Sequence, residues 1–100
     1  MNVVWTAGVD ADVQALYERL DENEPGYGDQ VYQALLETVG SLQTFPRIGP
    51  VAHRGFIRRI LVFKLRYGLY YSVESRGIIL HTLLDQRQDP KRITHRPSQI

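Results

Sequence analysis

The sequence predicts an α+β fold of order β-α-α-β-β-β, a helical hairpin packed on a small, mainly antiparallel sheet. Three observations carry this reading. Apolar residues recur with a helical period over residues 11–42. Beyond residue 56 they recur with a period of two. Pro46, Gly49, Pro50 and Gly55 lie between and mark a loop. Amphipathic helices need a surface on which to bury their stripes, and the sheet supplies it.

Val3, Val4, Trp5 and Thr6 form a short β-prone run that ends before Ala7 and Gly8. Asp10 is placed to cap a helix from about Ala11 to Glu22, in which Val13, Leu16, Tyr17 and Leu20 form one stripe. Asn23, Glu24, Pro25 and Gly26 break it. A second helix is expected from about Asp29 to Leu42, with Val31, Leu35, Val39 and Leu42 on one face. After the loop, Phe56 to Val62 reads as a strand. Leu65, Tyr67, Leu69, Tyr71 and Val73 then alternate with Lys64, Arg66, Gly68, Tyr70 and Ser72. The first set is expected to pack on the helices and the second to face outward. Ser75, Arg76 and Gly77 make a hairpin turn. Ile78 to Leu84 is almost wholly apolar and reads as a central strand covered on both faces.

Formal charge is divided along the chain. Residues 1–43 hold eight acids and one base, Arg19; residues 44–100 hold eleven bases and three acids, which gives −7 against +8 and the net +1. No carboxylate occurs from Thr44 to Val73. That stretch interleaves Arg47, Arg54, Arg58, Arg59, Lys64 and Arg66 with Phe56, Phe63, Tyr67, Tyr70 and Tyr71. A basic, aromatic half implies an anionic partner: nucleic acid, a ribosome or an acidic protein.

One hundred residues, 43% hydrophobic and 23% charged, predict a single domain over residues 1–100, with a core to residue 90 and a tail over 91–100. A domain of this size buries roughly two-thirds of its unfolded surface, so a partner covering an exposed face would add stability. There is no cysteine, which excludes disulfides and thiol chemistry. No run approaches a membrane span and the first residues lack a signal-peptide pattern, so the cytoplasm is the expected compartment. There is no internal repeat, no phosphate-binding glycine loop and no metalloprotease or hydrolase motif. No cofactor and no metal are expected. His53 and His95 lie too far apart to suggest a metal pair, and His81, within an apolar run, reads as a core histidine.

Four segments together resemble the RelE/ParE family of type II toxins. Leu42 to Gly49 is similar to the L-x-x-x-P-x-x-G pattern that closes the family's helical hairpin. Ile57-Arg58-Arg59-Ile60 is similar to its basic second strand. Tyr67 to Val73 resembles its Y-x-(L/I)-x-Y-x-V strand, and Leu83 to Pro90 resembles the H-x-R-R-D-P ending common on the ParE side. The resemblance spans about residues 3–92. It implies a toxin neutralised by a small cognate antitoxin, with a toxin–antitoxin hetero-oligomer as the assembly. RelE-like members cleave messenger RNA on the ribosome, and ParE-like members poison DNA gyrase.

In the cleaving members, basic and tyrosine side chains act as acid, base and charge stabiliser. Carried over by position, the basic residue of the second strand falls at Arg58 or Arg59. The one after the last strand falls at Arg87. A third arginine would stand where this chain has Gly68, and a C-terminal tyrosine near Ile93. Two roles are thus vacant, which favours the ParE side and action by binding. The target-binding candidates are Arg58, Arg59, Lys64, Arg66, Tyr70 and Arg87. Each has a plainer reading: Arg58 or Arg59 in a salt bridge to the acidic helices, Arg87 in an ion pair with Asp89 that pins the tail. Tyr67 and Tyr71 read as core. The competing functions are a ribosome-dependent endoribonuclease, a non-toxic nucleic-acid-binding module, and a degenerate homologue that only binds its antitoxin.

Overall fold

Thr6 fastens the first helix to the sheet. Its hydroxyl accepts the Val9 N–H at 3.2 Å and donates to the Leu80 carbonyl at 2.6 Å. It follows β1 (Val3–Trp5) and caps α1 (Ala7–Asn23). The helix begins a turn earlier than an Asp10 cap predicts. Asp10 lies instead in the first turn, where a carboxylate complements the helix dipole. The structure, a computed structural model, describes residues 1–87. The tail expected over 91–100, and Asp89, Ile93 and His95, lie outside the described residues.

The turn between the helices is built on Gly26, at φ 90°. The N–H groups of Gly26 and Gly28 both donate to Asp21 Oδ1, at 3.1 and 3.2 Å. One carboxylate from the end of α1 thus takes the place of a side-chain cap on α2 (Tyr27–Thr44). Val31, Leu35, Val39 and Leu42 are buried along one face of α2, as the helical period predicts. They meet Val62, Tyr67, Leu69, Tyr71, Ile78, Leu80 and Leu83 of the sheet in one core. A fully buried aliphatic side chain of this kind contributes roughly 2 kcal/mol.

The remaining strands are β2 (Val51–His53), β3 (Ile57–Val62), β4 (Tyr67–Glu74) and β5 (Gly77–Asp85). The sheet order is β1-β5-β4-β3-β2. β1 runs parallel to β5, and the other pairs are antiparallel. The expected architecture holds, with β5 between two neighbours as its apolar sequence requires. Its strands differ from the sequence reading in three places. The loop after α2 contains the short edge strand β2. Lys64 and Leu65 are not in a strand. Phe63, Lys64 and Leu65 take left-handed backbone at φ 49°, 55° and 62°, so β4 starts at Tyr67. Third, the outward set of β4 is not exposed: Gly68, Tyr70 and Ser72 are buried along with Tyr67, Leu69 and Tyr71. The reason is a second apolar cluster of Ile57, Tyr70 and Leu84 on β3, β4 and β5.

Candidate functional site

Arg58 and Arg59 are neighbours in a strand, so they serve opposite sides of the sheet. Arg58 Nη1 donates to the Gly49 carbonyl at 2.8 Å and to the Arg47 carbonyl at 3.2 Å. Gly49 N–H in turn donates to the Tyr71 hydroxyl at 2.9 Å. Arg58 therefore holds the loop that leaves α2. It makes no salt bridge to the acidic helices. Burial raises the pKa of Tyr71, and the Gly49 N–H acts in the opposite sense.

Arg59 faces the other way and donates to Gln86 Oε1 at 3.0 Å. The two side chains lie across Gly68. A Cβ added there would stand 2.6 Å from Gln86 Nε2 and 3.2 Å from Arg59 Cδ. The position at which the sequence lacks an arginine is thus filled by other side chains. Gln86, unmarked by the sequence reading, joins three of the candidates. Its side chain holds Arg59, its N–H donates to the Arg66 carbonyl at 2.8 Å, and Arg87 follows it.

Lys64, Arg66 and Arg87 meet at the end of the sheet nearest the helical turn. Arg66 Nη1 donates to the Tyr27 hydroxyl at 2.9 Å. The Tyr27 ring packs edge-to-face on Phe63, centroids 5.6 Å apart, and Lys64 Nζ lies 5.2 Å from the Phe63 centroid. Arg87 grips Asp85 with a fork, Nε to Oδ1 at 3.0 Å and Nη2 to Oδ2 at 2.8 Å. The fork holds the Asp85 carboxyl below its ordinary range, with Arg19 adding a weaker pull. Arg87 therefore has an internal partner in Asp85; the expected partner Asp89 lies outside the described residues. Tyr67 joins this corner from β4. It is core, as expected, yet among the described residues its buried hydroxyl has no hydrogen-bond partner. Burial and then Asp85 raise its pKa, while Arg87 and Arg19 lower it.

Of the six candidates, Arg66 and Arg87 lie at the corner with Tyr27 and Tyr67, and Lys64 stands beside it over Phe63. Arg59 lies on the opposite face of the sheet against Gln86. Arg58 is committed to the loop, and Tyr70 lies beneath the surface at 3% exposure. The sequence reading assigned no role to Arg19 or Tyr27. The available signal was that Arg19 is the one base among eight acids.

His81 has a structural partner. Ser72 donates its hydroxyl proton to Glu74 Oε2 at 2.6 Å, so the 2.8 Å contact between Ser72 Oγ and His81 Nε2 requires Nε2–H to be the donor. Burial lowers the His81 pKa, outweighing the opposing pull of Glu74. Ser72 is 1% exposed and its proton is engaged, which is unsuited to nucleophilic attack. Among the described residues no three His, Asp or Glu side chains cluster to hold a metal, and no helix is long and apolar enough to cross a membrane.

No curated protein matches the chain in sequence. Among solved structures, a chain of the "Chromosomal ParDE TA system from P. aeruginosa" is similar in fold. The TM-score is 0.75 at 19% identity, covering 85% of this chain and 95% of that one. The two-helix hairpin over a five-stranded, mostly antiparallel sheet is therefore a shared architecture. Residues 3–90 match the family model described as "ParE toxin of type II toxin-antitoxin system, parDE". With β1 to β5 inside that match, the chain belongs to the ParE family of toxins from type II toxin–antitoxin systems.

Proposed function

We propose that the chain arrests growth by binding DNA gyrase and is held inactive by a cognate antitoxin. The observation that carries this reading is the filled space over Gly68, where Gln86 and Arg59 lie in place of an arginine. In RNA-cleaving relatives several basic groups must converge on a scissile phosphate. Here Arg58 is tied to a loop and Arg87 to Asp85, which supports action by surface contact rather than by catalysis. The basic side chains of Lys64, Arg66 and Arg87 at the end of the sheet, with Arg59 on its outer face, are what the chain offers to the target. The antitoxin is expected to carry an acidic, amphipathic segment. Such a segment can add a strand at a sheet edge or lay a helix in a groove, and it speeds association through complementary charge.

Induction without antitoxin, read by SOS response and by transcript-end mapping, tests the proposal. Growth arrest with SOS induction and intact transcripts is the expected result. Codon-dependent cleavage on purified ribosomes would assign the chain to the RNA-cleaving mode instead. Normal growth with folded protein would leave a homologue that only binds its antitoxin.

A further inference from the structure

The corner beside the helical turn has more donors than acceptors. Its acceptor is Asp85, and Arg87 occupies both carboxylate oxygens. Tyr27 receives the Arg66 bond on its oxygen, so its own proton remains to be given. The Tyr67 hydroxyl, on a residue 1% exposed, has no hydrogen-bond partner among the described residues. A buried hydroxyl without a bond costs stability, and such a group in a native fold calls for a reason. A second cost stands beside it. Phe63, Lys64 and Leu65 hold consecutive left-handed backbone at φ 49°, 55° and 62°, which L-residues avoid. That turn aims Phe63 at Tyr27 and sets Lys64 over Phe63. Strain of this kind gathers where a ligand is met.

We propose that the corner formed by Tyr27, Arg66, Tyr67 and Arg87 receives one carboxylate of a partner protein, presented by an Asp or Glu side chain. This rests on the reading of the chain as a protein-binding toxin and names the chemistry its partner presents. A planar carboxylate matches the fork of a guanidinium and accepts from both phenols. Arg87, whose side chain is 57% exposed, stays on Asp85 and offers its remaining guanidinium N–H groups to it. A nucleic acid fits less well. Duplex DNA carries a charge about every 1.7 Å of its axis. Asp21, Glu22, Glu24 and Asp29 flank the same turn and would repel the neighbouring phosphates. A single carboxylate brings one charge to that repulsion, where a nucleic acid brings a phosphate at every step.

The test uses the free, isotope-labelled chain in a non-anionic buffer. It is titrated in separate arms with propionate, inorganic phosphate and a short single-stranded oligonucleotide. Propionate is expected to shift the Tyr27 and Tyr67 ring signals and the Arg66 Nε signal saturably in the millimolar range. Arg66→Gln should weaken that response roughly tenfold, the loss of one charge-assisted bond. Tyr67→Phe should also weaken it, yet raise the melting temperature of the free chain, because it removes an unpaired buried hydroxyl. A purely structural Tyr67 would not give that opposition. The proposal is overturned if propionate gives no saturable shift at these rings. It is also overturned if phosphate or the oligonucleotide shifts them at lower concentration. The free chain is the sample, so failure here leaves the gyrase reading intact, and absence of growth arrest leaves the titration standing.

Discussion

A single hydroxyl on Tyr71 decides whether the loop after the hairpin has a place to sit. Gly49 is buried, and its N–H has the Tyr71 oxygen as acceptor. A side chain at Gly49 would not fit, since a Cβ would lie 2.7 Å from the Arg59 carbonyl oxygen and 2.8 Å from the Tyr71 hydroxyl. Tyr71→Phe keeps the ring in the core but strands the N–H. The expected loss is about 1–3 kcal/mol, the cost of an unsatisfied buried donor, measured by denaturant unfolding. A change below a few tenths of a kcal/mol would mean that the loop finds another acceptor. Gly68 works differently, because the atoms a Cβ would meet are the ends of flexible Gln86 and Arg59 side chains, which can move aside.

At the scale of the element, β4 and β5 carry a titrating group between their outer residues. The His81 pKa is lowered from 6.5, chiefly by burial, so the folded chain binds fewer protons there than the unfolded chain. Stability from this site is fully present above about pH 6.5 and is lost as pH falls through the folded pKa. His81→Gln should flatten that acid-side loss when melting temperature is followed from pH 7 downward. If wild type and variant fall in parallel, His81 does not set the slope. Elements also show how far the sequence could be read. The α2 stripe was legible because periodicity alone specifies Val31, Leu35, Val39 and Leu42. β2 was not, because three residues between Pro50 and Gly55 are too short to show a period. The turn at 63–65 was hidden because Phe, Lys and Leu do not mark left-handed backbone. Tyr70 was read as outward because alternation gives the side of the sheet, not what covers it. Its burial depends on Ile57 and Leu84 from other strands. The basic residues were legible as composition, while Gln86, which holds the Arg59 side chain and the Arg66 carbonyl, carries no charge to betray it.

Across the whole molecule, the charge division predicts which half carries toxicity. Arg59, Arg66 and Arg87 changed together to Ala should abolish growth arrest while the circular dichroism spectrum stays that of a folded chain. Arg58 is left out because its loss would release the 47–49 loop. The matched control is Glu18, Glu22 and Glu37 changed to Ala, all exposed helix positions. Asp21 is excluded from it because it accepts two backbone N–H groups at the turn. The control should stay toxic; a non-toxic control beside a toxic basic variant would reassign the functional face to the helices. The parallel pairing of β1 with β5 acts on a different axis, that of time. Val3 pairs with Ile78, and the Ile78 N–H donates to the Asn2 carbonyl at 2.8 Å. A ribosome makes the first partner long before the second, so β1 waits unpaired through the synthesis of both helices and three strands. Loop closure over such a span is slow, and the long-range contacts repay it only at the end. A nascent chain halted before β5 therefore has no sheet position for Thr6 to fasten and no floor for the hairpin. A chain stopped before β5 is expected to lack the sheet that the helical hairpin packs on, whatever toxic surface the earlier strands carry.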